Sequence, residues 1–398
     1  MKTFLRLAIA MAILSSNAYA QQQGPKQTSI KWQFKTTAPI VGSPKVKDQL
    51  LFIGSADSCL YALNKLDGKS VWHFRTEGKI TSTVGYDNSN VYFISEDAYI
   101  YALDILTGQL RWRYKTGGER STDPWDYFLS SPVLDNGMLY IGSTDGNIYA
   151  IEAANGTLKW KYATGGAVHA APVVADNTIM AGSFDGWFYA LNTDGTLKWK
   201  FDTMGERFFP IGEVQYPAVV KDTCVYFCAR DYNVYALHLN SGKGLWVFHE
   251  PGSWANAPSL DGNTLVVTTS DTRRVIGLDA MYGGFKWASP VNLNVFSAVA
   301  AANNYGYMGT LDGQLYGVDL KTGKSKLLFQ TAARTKNVNR FFNKATGKLY
   351  TDLVDRYKGD VIKIYADFLD MGSILSTPLV ESGVLYFGST DGNVYALK

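Results

Sequence analysis

The sequence predicts an all-β chain, an eight-bladed β-propeller of four-stranded antiparallel blades, with the last blade closed by the N-terminal strand and one partly helical insertion. Three observations carry this. A tyrosine marks a third strand at Tyr61, Tyr101, Tyr149, Tyr189, Tyr235, Tyr316 and Tyr395, with Val275 in one copy, and an aspartate stands four residues before each position. A tryptophan marks a fourth strand at Trp32, Trp72, Trp112, Trp160, Trp199, Trp246 and Trp287, with Leu328 in one copy. Around these, short runs alternate apolar and polar residues and are separated by turn pairs such as Asp145-Gly146 and Asn155-Gly156. A period near 40 residues made of four such strands is a propeller blade.

Taken in order, residues 1–20 stand outside the repeat. A basic start (Lys2, Arg6), an apolar stretch from Leu7 to Leu14 and the small residues Ala18 and Ala20 predict a cleaved signal peptide, and so an exported protein of the periplasm or the extracellular space. The apolar run is too short to span a bilayer, and no other stretch reaches the ~20 apolar residues that a transmembrane segment needs. No cysteine follows the cleavage site, so no lipid anchor is expected there. The full chain carries a net charge of +3, and losing Lys2 and Arg6 leaves it near +1. That balance gives a nucleic-acid partner no support.

Residues 21–398 are expected to form one domain, because each blade packs only on its neighbours and no linker interrupts the repeat. Trp32, in Ile30-Lys31-Trp32-Gln33-Phe34, precedes any first, second or third strand, and the chain ends at Val394-Tyr395-Ala396-Leu397 without a fourth. Each end supplies what the other lacks, so the N-terminal strand should complete blade eight and remove the exposed edges. Cys224 and Cys228 share a strand about 13 Å apart at strand rise, too far to bridge, and Cys59 lies in another repeat. All three read as small buried hydrophobes.

The connections between blades vary most. From tryptophan to the next tyrosine position the count is 29 in five copies, but 37 from Trp112 to Tyr149, 36 from Trp199 to Tyr235 and 67 from Leu328 to Tyr395. The extra residues lie upstream of first strands, so all three insertions leave one face of the ring. The first (residues 119–128) and the second (206–216) begin Glu-Arg, are rich in aromatics, and enter blades three and five. The third (about 332–372) enters blade eight and carries Val361, Ile364, Tyr365, Phe368 and Leu369 at helical spacing, which predicts a short amphipathic helix packed on the ring.

Two readings stand for these loops. They plug the channel and cap strand ends, or they form a binding site, as long loops on a rigid scaffold often do. For the second reading the binding candidates are Arg120, Trp125 and Tyr127 in the first insertion, Arg207, Phe208, Glu213 and Tyr216 in the second, His169 between them, and Trp254 on a neighbouring connection. The aromatics offer apolar area with polar tips, and the arginines suit a carboxylate or phosphate. These residues are expected to line the principal cavity or its rim. No catalytic set is expected, since Gly-x-Ser-x-Gly is absent, and no metal site, since the four histidines lack metal spacing and each turn offers one carboxylate. The recurrent aspartates, glycines and tryptophans read as scaffold.

The run Ala102-Leu103-Asp104-Ile105-Leu106-Thr107-Gly108-Gln109-Leu110-Arg111-Trp112, with weaker copies at Ala62 to Trp72, Ala150 to Trp160 and Ala236 to Trp246, resembles the repeat of the pyrroloquinoline-quinone (PQQ) propeller superfamily. The resemblance covers Trp32 to Leu397 apart from the third insertion. It implies either of two activities. Some members are PQQ-dependent alcohol and glucose dehydrogenases; others, nearer this chain in size, are non-catalytic, such as the lipoprotein of the β-barrel assembly machinery. The vicinal cysteine pair of the alcohol-dehydrogenase branch is missing here, no calcium set can be placed, and the lipid-attachment cysteine of the lipoprotein is also missing. The expectation is therefore an exported, monomeric, non-catalytic scaffold without a cofactor, binding a protein, peptide, glycan or small ligand through the insertion face. The alternative is a PQQ-dependent oxidoreductase of the quinoprotein dehydrogenase type.

Overall fold

The computed structural model describes residues 28–207 and 209–398, so the expected signal peptide and Phe208 lie outside the described residues. Eight four-stranded sheets form, each an antiparallel meander in sequence order except the last. They span residues 45–75, 85–115, 133–163, 173–202, 219–249, 259–290 and 300–330, with blade eight built from 379–397 and the strand Ile30–Lys35. In blade eight Trp32 stands opposite Ala396, Gln33 opposite Tyr395 and Phe34 opposite Val394, as the truncated repeats at the two ends require.

The repeated residues are the seams of the ring. Each tryptophan donates its indole N–H to a carbonyl of the next blade: Trp32 to Lys65, Trp72 to Ile105, Trp112 to Ala153, Trp160 to Thr193, Trp199 to Leu239, Trp246 to Ala280 and Trp287 to Leu320. The ring of the same indole lies under the turn glycine of that blade. Gly108, at φ +71°, would bring a Cβ within 2.6 Å of the Trp72 ring, so the position needs glycine for its backbone and for the approach. Leu328 is the exception with a reason. The blade after it has no turn between third and fourth strands, because its fourth strand comes from the other end of the chain, so no glycine waits for an indole.

The aspartates work at the opposite end of each seam. Asp97 accepts from the Tyr99 amide and the Tyr101 hydroxyl within its own blade, and from the Glu77 amide where the chain leaves the preceding one. Asp57, Asp145 and Asp185 repeat the pattern. One carboxylate thus satisfies a turn, a buried phenol and a neighbouring blade. The three cysteines are free.

In the third insertion a helix runs from Val361 to Phe368, capped by the Asp360 carboxylate on the Lys363 amide, with Val361, Ile364 and Phe368 buried. This is the amphipathic helix that the spacing predicts. A further helix, Ala332–Asn337, and a short one, Leu353–Arg356, precede it.

Candidate functional site

All three insertions meet over one mouth of the central axis. Their side chains join a single apolar cluster that includes Trp125, Tyr127 and Phe128 from the first, Phe209 from the second, and Phe341, Phe342, Ile364, Tyr365 and Phe368 from the third, with Trp254 and Phe296 from connections of the ring. The rings meet edge to face. Trp125 sits 6.0 Å from both Trp254 and Tyr365, Phe209 lies 4.7 Å from Trp254, and Tyr127 lies 5.2 Å from Phe296. Each four residues ahead of an inner strand, Leu129, His169, Gln215, Ala255, Phe296 and Leu375 are all buried. This mouth is filled by the protein itself.

A polar network runs through the filling. The Arg230 guanidinium, almost fully buried, pairs with Asp123, donates from Nε (3.1 Å) and Nη2 (2.9 Å) to Gln215 Oε1, and lies 4.5 Å over the Trp254 ring. Gln215 donates in turn to the Trp125 carbonyl and to Asp126. Asp126, accepting from the Thr122 amide and hydroxyl, also faces His169 Nδ1 at 2.9 Å, and a carboxylate can only accept there. His169 Nε2 faces the Thr144 hydroxyl at 2.6 Å. That hydroxyl also lies 3.1 Å from Glu119, whose carboxyl meets Thr116, Ser143 and the Thr144 amide as well. Burial pushes the Glu119 carboxyl above its ordinary value despite these bonds.

The row Asp126–His169–Thr144 has the order of an acyl-transfer triad. Its hydroxyl also takes the Arg120 amide at 3.2 Å and lies beside the Glu119 carboxyl, while Thr144 itself is half-buried. The network ties the first insertion to the second and to the connection that enters blade four.

The sequence-predicted residues divide into two groups here. Trp125, Tyr127 and Trp254 come together in the filling, His169 and Tyr216 touch it through Asp126 and Phe128, and Tyr216 is buried, its phenol pushed well up by burial and its hydroxyl without a partner among the described residues. Glu213 is half-buried, and its Oε2 has no partner among the described residues. Arg120 and Arg207 are exposed above the filling. Sequence reasoning missed Asp123, Asp126, Gln215, Arg230 and Phe209. It also missed Asp271 and Asp312, which anchor the third insertion. Asp271 meets the Tyr365 hydroxyl at 3.3 Å, and Asp312 binds Arg334 at 3.1 Å. The signal was present, because Val275 leaves Asp271 without its phenol, while the hydroxyl of Tyr316 turns to Gln314 and not to Asp312. Two aspartates that lack their phenol partner take side chains of the insertion instead, and Asp312 still accepts from Asn292 where the chain leaves blade six.

Fold and mouth together define an eight-bladed propeller whose axis is capped by its own inter-blade loops. The chain belongs to the family described as outer membrane protein assembly factor BamB, whose model matches residues 24–126, 96–247 and 212–398. Among solved structures it is similar to BamB from Moraxella catarrhalis (20% identity, 76% of this chain and 88% of that one, TM-score 0.62). It is also similar to the quinohemoprotein alcohol dehydrogenase ADHIIG from Pseudomonas putida HK5 (13% identity, 94% and 77%, TM-score 0.68). At these identities the likeness is one of fold. A curated relative, the tetrathionate hydrolase of Acidithiobacillus ferrooxidans, is 28% identical over 181 residues, which cover 38% of this chain and 35% of that protein, so the chain spans about a third of its length. Among the described residues no helix is long and apolar enough to cross a membrane.

Proposed function

We propose that the chain is an exported, non-catalytic scaffold that docks a protein component of outer-membrane protein assembly on its capped face. The observation that carries this is the self-filled mouth. The insertions spend their aromatics on one another and on Trp254, and Asp123 of the first takes the buried Arg230 cation, so the mouth is covered by groups that already have partners, with Arg120 and Arg207 exposed. A surface of this kind suits a protein partner, for which exposed arginines guide encounter and groups already held by partners limit the entropy lost on docking. PQQ, a flat tricarboxylate, asks for a slot between ring faces and for cations free to meet its carboxylates. At this mouth Trp125, Trp254 and Phe209 pack edge on, and Arg230 is already paired, so the residues do not fit that cofactor. The family description supports the choice of partner.

The test is complementation in cells lacking the chain, read as the amount of assembled outer-membrane β-barrel protein. Arg120→Glu with Arg207→Glu should melt like the parent and fail to restore assembly, since reversing two guiding charges weakens association by about tenfold or more. Full rescue by the reversed variant overturns the docking face. Alcohol or sugar oxidation that depends on added PQQ and calcium overturns the class.

A further inference from the structure

The other mouth of the axis is unlike the capped one. Between the inner strands lies a cavity of about 530 Å³, lined by residues of blades eight, one, two and three on one side and by Ala171 and Pro217 on the other. It is shut toward the cap by the buried ring of Leu129, His169 and their neighbours, so its opening is on the opposite face.

One arc of this cavity is a chain of hydroxyls. Thr377 accepts from the Ala298 amide (3.1 Å), Ser43 from the Thr377 amide (2.9 Å), Thr83 from the Ser43 amide (3.1 Å) and Ser131 from the Thr83 amide (3.0 Å). In each case the backbone N–H uses an oxygen lone pair and leaves the O–H proton undirected; among the described residues none of the four hydroxyls donates to a protein acceptor. The four are half-buried, as groups lining an accessible lumen would be. Lys45, on the strand that follows Ser43, lines the same lumen. Its ammonium meets water and, among the described residues, has no carboxylate or carbonyl partner, while the surrounding walls hold its pKa below the ordinary value. Lys47, two residues on, hydrogen-bonds Asn88 and pairs with Asp48, so it serves as a partnered control on the same strand. Opposite the arc, Ala171 and Pro217 replace the hydroxyl residues, and that wall is apolar.

Four undirected O–H donors and an unpartnered ammonium facing an apolar wall make a two-sided lining. We propose that this axial cavity is a binding site for a small monocarboxylate, its carboxylate held by Lys45 and the hydroxyl arc and its hydrocarbon chain lying against Ala171 and Pro217. A carboxylate takes several donors at once, and its bond to an ammonium is charge-assisted, which suits an arc better than a single contact. The volume exceeds that of acetate and accommodates a chain of several carbons. The site is separate from the docking face and does not depend on that reading.

Isothermal titration of the mature protein with sodium acetate, butyrate and hexanoate, beside hexanol and sodium sulfate, tests it. Binding should be saturable for butyrate and hexanoate, tighten with chain length, and be absent for hexanol. Lys45→Met and, separately, Thr83→Val should each weaken hexanoate binding by about tenfold or more, while Lys47→Met leaves it unchanged. Among the described residues Lys45 makes no hydrogen bond or ion pair across a seam, and Thr83→Val removes one inter-blade bond, that from the Ser43 amide, so melting curves coincident with the parent show that each variant folds. Absence of saturable binding, equal loss in Lys47→Met, or sulfate binding as tight as hexanoate overturns the proposal.

Discussion

The blade seams and the capped mouth are made from the same materials, aromatic rings and paired carboxylates, and they differ in redundancy. At the seams one arrangement recurs: an indole under a turn glycine, and an aspartate holding a phenol and a neighbour's amide. At the mouth every contact occurs once. Arg230 has one Asp123, His169 one Asp126, and Tyr365 one Asp271. Repetition makes the ring a closed cycle of interchangeable joints, so opening any joint affects them all. The mouth is a tree of individual joints resting on that cycle, and its failures should stay local.

The strongest way to break this comparison is to open the ring. Deleting residues 29–35 strips the strand paired with Asn393–Leu397 and removes the indole that sits under Gly68. Loss of an edge strand and a buried tryptophan should lower stability by about 3–5 kcal/mol or more, in one cooperative transition reported by every blade. A truncated chain that melts with the full mature one would show that closure adds nothing.

A change at the mouth sharpens the other half. Arg230→Met keeps the stem over Trp254 but leaves Asp123 and Gln215 without their donor, a loss of about 3 kcal/mol for a buried pair deprived of one partner. Hydrogen exchange should show the backbone of residues 119–128 opening faster, with the inner strands of all eight blades still protected. Equal loss of protection in the blades would mean that mouth and ring form one cooperative unit.

The same difference decides what could be read from the sequence. The ring was legible because Tyr101, Asp97, Gly108 and Trp112 stand at offsets found again in the other copies, and even the exception at Leu328 marks where the ring closes. The helix Val361–Phe368 was legible from its apolar spacing. Arg230 was not. It occupies the variable place just before the repeat aspartate, held elsewhere by Ala56, Thr144 or Phe184, and nothing local shows that this place reaches the axis. Its partner Asp123 is 107 residues away in the chain. Contacts made once between distant loops leave no period. Aromatic content located the mouth, but whether those rings face a ligand or one another depends on geometry that no spacing encodes.

The smallest expected effect is one of pH, and it belongs to the mouth alone. Glu119 is buried, and burial raises its carboxyl above the ordinary 4.5. Below that value it is protonated both folded and unfolded, and its contribution is complete. As pH rises the unfolded chain releases the proton first, the folded chain binds more protons, and stability falls through the window up to the raised folded value. Asp271, also raised by burial, acts with the same sign. Carboxyls held low, such as Asp145 and Asp104, act in reverse and lose their contribution as pH falls. The measurement is therefore a difference. The unfolding midpoint of the parent minus that of Glu119→Gln, followed from pH 4.5 to 8, cancels the opposing groups and should decline as pH rises. It should do so in a probe of the capped mouth, such as Trp125 fluorescence in a variant with fewer tryptophans, more than in the backbone signal of the blades. A flat difference would mean that Glu119 keeps its charge in the fold, and that its hydroxyl and amide donors offset the desolvation in full.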